Sequence, residues 1–171
     1  MTYINASLRI TNSYFRKNKA DIGGPLFANS PKGFLKIERI NVPFSYCRAY
    51  NGCTIFFGYN RSGPRNLFFG LRNVTVEQWN GYKHKCEAVE VFLKNGNVVI
   101  ERSRFKRKMK ITVAGALRVI TTQGKTNVTI SRCIFEDTAI RARQGIFVQI
   151  LAGNGNAGMA MISDSLIVSN I

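Results

Sequence analysis

The chain has 171 residues, 45% of them hydrophobic, which suits one globular domain with a real core. Lysine and arginine number 25 against 9 acidic residues, and the formal charge of +16 attracts polyanions at long range. No apolar run nears the roughly 18 residues that span a bilayer, the first residues carry no basic-then-apolar leader, and 4 cysteines do not make a disulfide-dense scaffold.

Taken in chain order, one degenerate phrase keeps returning. It first reads Leu8-Arg-Ile10-Thr-Asn-Ser13-Tyr-Phe15-Arg-Lys-Asn18, then weakly from Leu35-Lys-Ile37 and poorly from Val74-Thr-Val76. Clear copies follow in Val98-Val-Ile100-Glu-Arg-Ser103-Arg-Phe105-Lys-Arg-Lys108 and Val128-Thr-Ile130-Ser-Arg-Cys133-Ile-Phe135-Glu-Asp-Thr138. The last is Ala160-Met-Ile162-Ser-Asp-Ser165-Leu-Ile167-Val-Ser-Asn170. The starts at 8, 35, 74, 98, 128 and 160 lie 27, 39, 24, 30 and 32 residues apart. Self-similarity at such periods marks stacked repeats.

Within a copy the large apolar residues alternate, which is strand periodicity. A phase change at Ser131-Arg132 predicts a turn that keeps the next strand's apolar face inward. A small residue recurs at this corner: Ser13, Ser103, Cys133 and Ser165. Each copy is followed by glycine and a second apolar strand, as in Gly23-Gly24-Pro25-Leu26-Phe27, Gly115-Ala-Leu117-Arg-Val119 and Gly145-Ile-Phe147-Val-Gln-Ile150. Such a coil cannot bury its apolar face alone, so coils must stack. No amphipathic stretch is long enough to read as a crossover helix, which argues against an alternating βαβ fold. The expected architecture is all-β: a parallel β-helix of about five to six coils, a solenoid in one domain over 1–171. One internal column is expected from Ile10, Ile37, Ile100, Ile130 and Ile162, and 41–93 reads as irregular coils with projecting loops. Met1 leads within a few residues into a repeat and Ile171 follows Asn170 directly, so the expectation is a fragment of a longer β-helix, incomplete at both ends.

These copies resemble the right-handed parallel β-helix superfamily called pectin-lyase-like. Phe15-Arg-Lys-Asn18 followed by Gly23-Gly24 is similar to the FxxN and GGA repeats of polymorphic outer-membrane and adhesin-like proteins. Asn127-Val-Thr-Ile-Ser-Arg-Cys133-Ile-Phe135 resembles copies in large extracellular eukaryotic β-helix proteins. The resemblance covers about two thirds of the chain, chiefly 7–27 and 98–171. Pro25 replaces the usual small residue, and Lys108 and Thr138 depart from the Asn position. The resemblance implies a right-handed coil, and for some members of the superfamily polysaccharide cleavage.

The densest basic stretch supplies Arg102, Arg104, Lys106, Arg107, Lys108 and Lys110. Registering the copies places Arg39, Arg102, Arg132 and Asp164 at one outward position, with Arg102 and Arg132 neighbours and Asp164 relieving their repulsion. The candidate polyanion-binding residues are therefore those six and Arg132. Their ligand would be an acidic polysaccharide such as a glycosaminoglycan or a pectin-like polymer. The competing reading is a solvated face kept charged for solubility. Nucleic acid fits less well, because the aromatics fall at inward strand positions instead of interleaving a basic surface.

Glycoside hydrolysis needs two carboxyl groups facing each other across the substrate. Asp21, Glu38, Glu77, Glu87, Glu90, Glu101, Glu136, Asp137 and Asp164 contain none of the N-T-D, D-D, G-H-G or R-I-K series of polygalacturonase-like members. Glu38 and Glu101 share a register position but an intervening coil separates them. Glu87 and Glu90 would face opposite sides of a strand, and the clustered carboxylates that calcium wants are missing from the sequence. His84 is isolated among cations, so neither a catalytic residue nor a zinc site is assigned, and no cofactor is expected. Four N-x-Ser/Thr sequons, at Asn5, Asn60, Asn73 and Asn127, favour an extracellular or cell-surface protein. Cys133, standing where other copies have Ser, reads as a buried free thiol, while Cys47 and Cys53 are spaced to close a small loop. The expected function is a non-catalytic structural or adhesive segment that contacts acidic glycans and stacks on further coils of its own chain. The alternative is a fragment of a polysaccharide lyase or glycoside hydrolase.

Overall fold

A computed structural model describes residues 8–13, 19–22, 26–28, 34–38, 44–45, 48–51, 55–58, 67–77, 80–81, 88–107, 116–121, 124–137, 148–152 and 158–169. Among them every regular element is a strand. In chain order these are β1 (Leu8–Thr11), β2 (Lys19–Ile22), β3 (Leu26–Ala28), β4 (Phe34–Glu38), β5 (Phe44–Ser45) and β6 (Arg48–Asn51). Then come β7 (Ile55–Gly58), β8 (Leu67–Arg72), β9 (Thr75–Glu77), β10 (Asn80–Gly81), β11 (Val89–Leu93), β12 (Gly96–Glu101) and β13 (Arg104–Arg107). The last six are β14 (Leu117–Thr121), β15 (Thr126–Ser131), β16 (Ile134–Asp137), β17 (Val148–Ala152), β18 (Met159–Ser163) and β19 (Leu166–Ser169).

The strands form four sheets, and every described pairing is parallel. Sheet 1 runs β1-β4-β8-β12-β15-β18, and sheet 2 runs β5-β9-β13-β16-β19. Sheet 3 holds β2, β6 and β10, and sheet 4 runs β3-β7-β11-β14-β17. The chain thus visits the sheets in cyclic order, and equivalent strands of successive windings lie side by side. No helix in the described residues is long and apolar enough to cross a membrane.

The register follows the expected column with one shift. Ile10, Ile37, Leu71, Ile100, Ile130 and Ile162 occupy one row, and Leu8, Leu35, Phe69, Val98, Val128 and Ala160 another. The third winding therefore enters at Phe69 and not at Val74. Its spacings to the neighbouring copies become 34 and 29 residues in place of 39 and 24. The run Leu67-Phe68-Phe69-Gly70-Leu71 hides the phase, because half-buried Phe68 stands on the outer face where alternation predicts a polar residue. Within 41–93, β5 to β11 take places in all four sheets. Of the loops expected to project at Asn51-Gly-Cys53 and Arg61-Ser-Gly-Pro64, Asn51 instead ends β6, and 52–53 and 61–64 lie outside the described residues.

Between the sheets lies a narrow core of Ile55, Phe57, Leu67, Phe69, Leu71, Val89, Val91, Val98, Ile100, Phe105, Leu117, Val119, Ile130 and Phe135, each at most 2% exposed. Burial of such side chains is worth about 1.5–3 kcal/mol apiece and dominates the favourable side of folding. In β11, β14 and β15 burial alternates strictly, the signature of a strand with one wet face. In the last described winding Met159, Met161, Ile162, Leu166 and Ile167 are 45–60% exposed.

Candidate polyanion-binding corner

A two-residue corner follows the sheet 1 strand wherever the residues after that strand are described, at β1, β8, β12, β15 and β18, and after the last four of these it leads into sheet 2. Its first residue adopts positive φ each time: Asn12 (50°), Asn73 (53°), Arg102 (51°), Arg132 (54°) and Asp164 (49°). Left-handed backbone turns the chain sharply, and its cost is lowest for Gly, Asn and Asp. The corners stack. The Asn73 N–H donates to the Glu101 carbonyl at 3.1 Å, Arg102 to Ser131 at 3.0 Å and Arg132 to Ser163 at 3.1 Å, so the ladder of sheet 1 continues through the turn.

The second corner residue explains the recurring small polar side chain. Ser13, Ser103 and Ser165 each donate Oγ–H to the carbonyl two residues back, all at 2.9 Å. Ser103 Oγ also accepts the Val74 N–H at 3.3 Å, and Ser165 Oγ accepts the Cys133 N–H at 3.1 Å. Cys133 is a buried free thiol, with Sγ 3.2 Å from the Ser131 carbonyl oxygen. Burial raises the pKa of this thiol, and hydrogen bonds with the Ser103 and Ser131 backbone offset only part of the rise. It is a packing residue, not a nucleophile.

Arg102 and Arg132 project from adjacent corners, and both are exposed. Neither makes an ion pair with a described residue. Asp164 is next in line, at the corner whose neighbouring Ser163 carbonyl accepts the Arg132 N–H, and no ion pair joins its side chain to Arg132. Arg39, which alignment of the copies places in the same row, lies outside the described residues, and the row holds Asn73 one winding before Arg102.

The rest of the basic run is differently employed. Arg104 Nη2 lies 2.7 Å from Glu136 Oε2, and Lys106 Nζ lies 3.1 Å from Glu136 Oε1. The Arg104 hydrogen bond, then that of Lys106, holds the Glu136 carboxyl below the usual carboxylate range. Arg107 ends β13, and nothing is described of its side chain; Lys108 and Lys110 lie outside the described residues. The structure thus brings Arg102 and Arg132 together and assigns Arg104 and Lys106 to a neighbouring carboxylate.

The same cross-winding neutralisation recurs elsewhere. Arg9 holds Glu38 at 2.7 Å, Arg72 holds Glu101 at 3.4 Å, and Arg118 holds Glu90 at 3.3 Å. Arg72 stands in the register row between Glu38 and Glu101, as the expected intervening winding requires. No motif in the sequence singles out these arginines. The signal that finds them is opposite charge at one repeat spacing, legible only once register is fixed. Among the described residues no three His, Cys, Asp or Glu side chains gather as a metal-ligand group. Glu87 and His84 lie outside the described residues, as do Cys47, Cys53 and Cys86.

Of the four sequons, Asn5 and Asn60 lie outside the described residues. Asn73 is exposed at the corner. Asn127 sits within β15, where its Nδ2 donates to Asn97 Oδ1 of the neighbouring winding at 3.3 Å.

Compared with protein-family models, with curated proteins and with solved structures, the chain finds no match in any of the three.

Proposed function

We propose that this chain is a stretch of right-handed parallel β-helix of the pectin-lyase-like kind. It serves as a non-catalytic adhesive rod in an extracellular or cell-surface protein and contacts acidic polysaccharide through a basic face. One observation carries the reading. Glu38, Glu90, Glu101 and Glu136 are each held by a cation of a neighbouring winding, whereas Arg102 and Arg132 stand at the exposed corner unpaired among the described residues, with Asp164 one winding beyond Arg132. With a chain-wide charge of +16, that face meets a polyanion with little acidic surface to oppose it. Parallel sheets in continuous register support the rod. The exposed apolar side chains of β18 and β19 are suited to a further winding stacked on them.

The test is to pass the protein over immobilised heparin and, in parallel, to incubate it with a panel of acidic polysaccharides. Retention that weakens as salt rises, with no new reducing ends and no absorbance from unsaturated uronates, is the expected result. Release of either product would replace this reading with that of a polysaccharide lyase or glycoside hydrolase.

A further inference from the structure

Building on the glycan-binding reading, we propose that Arg102 and Arg132 form a two-guanidinium clamp for sulfate ester groups on a polysaccharide. The argument starts from backbone. At the five described corners the same left-handed conformation is required, and three carry Asn or Asp, which tolerate it. Arginine has no such tolerance, yet it occupies two successive windings.

Charge makes the choice still less favourable for the fold. Adjacent strands lie about 4.8 Å apart, and like charges directly opposite across them are destabilising. Where Arg9 stands opposite Lys36 in register, Glu38 of the neighbouring winding relieves it, and Arg72, Arg104 and Arg118 are likewise paired with carboxylates of adjacent windings. Arg102 faces Arg132 with no described ion pair to either, and Asp164 stands one winding beyond Arg132. A position that breaks two local rules at once, with no structural return, marks a site kept for something outside the fold.

The spacing selects the chemistry of the ligand. A carboxylate offers only two oxygens, so two cations can share it only with one oxygen each, as Arg104 and Lys106 share Glu136, and without a full fork from either. A phosphodiester likewise offers only two free oxygens, so a second guanidinium in the next strand would have to share them. A sulfate ester presents three terminal oxygens in a tetrahedral array, enough for a fork from one arginine and a further bond from the other. The Arg102 and Arg132 backbone N–H groups are spent on the ladder, so the side chains alone make the site. Arg104 and Lys106 stand nearby but are held by Glu136. A single clamp is weak, and a polymer carrying many such groups raises the apparent affinity by rebinding.

The experiment measures binding of the full chain to heparin, to desulfated heparin and to polygalacturonate at one ionic strength. It compares wild type with Arg102→Asn, Arg132→Asn, the double variant and Lys125→Gln, which removes one exposed charge away from the corner. Asparagine suits the left-handed backbone, so the variants are expected to melt no lower than wild type, and weakened binding cannot be put down to unfolding. Each Arg→Asn change should lower heparin affinity roughly tenfold. The double change should add little more, and Lys125→Gln should cost less than about twofold. Binding to polygalacturonate and desulfated heparin should be weaker and indifferent to the corner variants. Corner variants no worse than Lys125→Gln, or an equal loss on the carboxylate polymer, would overturn the clamp while leaving glycan binding standing. Tighter binding to a phosphomonoester polymer such as phosphomannan would overturn the sulfate assignment. A wild type that binds none of these polymers would remove the glycan reading itself.

Discussion

Phe105 and Phe135 lie face to face in the core, ring centroids 5.0 Å apart and planes within 4° of parallel. They are register partners in β13 and β16, so the parallel pairing of sheet 2 sets their contact. Val76 continues the row on one side and Ile167 on the other. Both rings are fully buried. Phe135→Ala should therefore cost about 3–5 kcal/mol of stability. Because the rings share a contact, the double alanine variant should lose less than the sum of the single losses, by about 0.5–1.5 kcal/mol. Urea denaturation of the four proteins measures this, and strict additivity would show that the stacked pair does not form.

The corner serines make a second, sharper expectation. Ser103 Oγ donates to the Glu101 carbonyl and accepts the buried Val74 N–H, so it joins two windings through one atom. Ser103→Ala leaves that N–H without its acceptor and should cost about 1–3 kcal/mol. Cys133→Ser should be close to neutral, since serine fills the same corner in the windings on either side. Thermal melting separates the two. A Cys133→Ser variant as unstable as Ser103→Ala would mean that the corner positions are not equivalent.

The same corner shows how far the amino-acid pattern alone reaches. Alternation around Ile100 and Ile130 sets strand phase, and the small residues at 13, 103, 133 and 165 mark a corner whose hydrogen bonds account for them. The neighbour relation of Arg102 and Arg132 follows from the same alignment. What stays hidden in the sequence is equally physical. Phe68 is apolar on the outer face, so alternation fails there and the third copy reads five residues late. Charge pairs such as Arg118–Glu90 are 28 residues apart and belong to no motif. The run from Arg102 to Lys110 looks uniform in sequence, yet among its described members Arg102 falls at the corner while Arg104 and Lys106 lie on β13 beside a carboxylate. Glu136, which takes up Arg104 and Lys106, sits in the next winding, beyond any local reading of charge.

Entry to sheet 1 depends on a close backbone approach. A Cβ added at Gly96 would overlap the Leu67 carbonyl oxygen, at a φ of +140°. No rotamer relieves that overlap, because the obstacle is backbone. Gly96→Ala should cost more than about 4 kcal/mol and leave little folded protein at 37 °C. Gly124 differs. Its φ is +77°, and an added Cβ would meet the Asn95 Cβ at 2.9 Å and the Lys94 carbonyl oxygen at 3.3 Å, a milder overlap than at Gly96 that still requires a shift of the 94–95 segment. Gly124→Ala should cost about 1–2 kcal/mol. Circular dichroism melts of both variants rank the two sites. A Gly96→Ala protein as stable as Gly124→Ala would contradict the packing of β8 against β12.

Glu136 supplies a pH test. Its carboxyl is held below the usual range, first by the Arg104 hydrogen bond and then by Lys106. With the folded pKa depressed, the unfolded chain binds more protons in the interval between the two values, so stability rises with pH there. The contribution is present at neutral pH and is lost as pH falls from about 4.3, the ordinary glutamate value, through the folded one. Glu136→Gln should lower the melting temperature at pH 7 by a degree or two, the modest effect of a surface-side pair. That difference should shrink toward zero as pH falls through the depressed folded value, where the wild-type carboxyl also becomes neutral. A gap that does not change as pH is lowered from 7 into the acid unfolding range would mean that Glu136 acts by packing and not through its charge. Sodium chloride at high concentration should narrow the pH 7 gap as well, because screening weakens the pull of Arg104 and Lys106 on the same carboxylate.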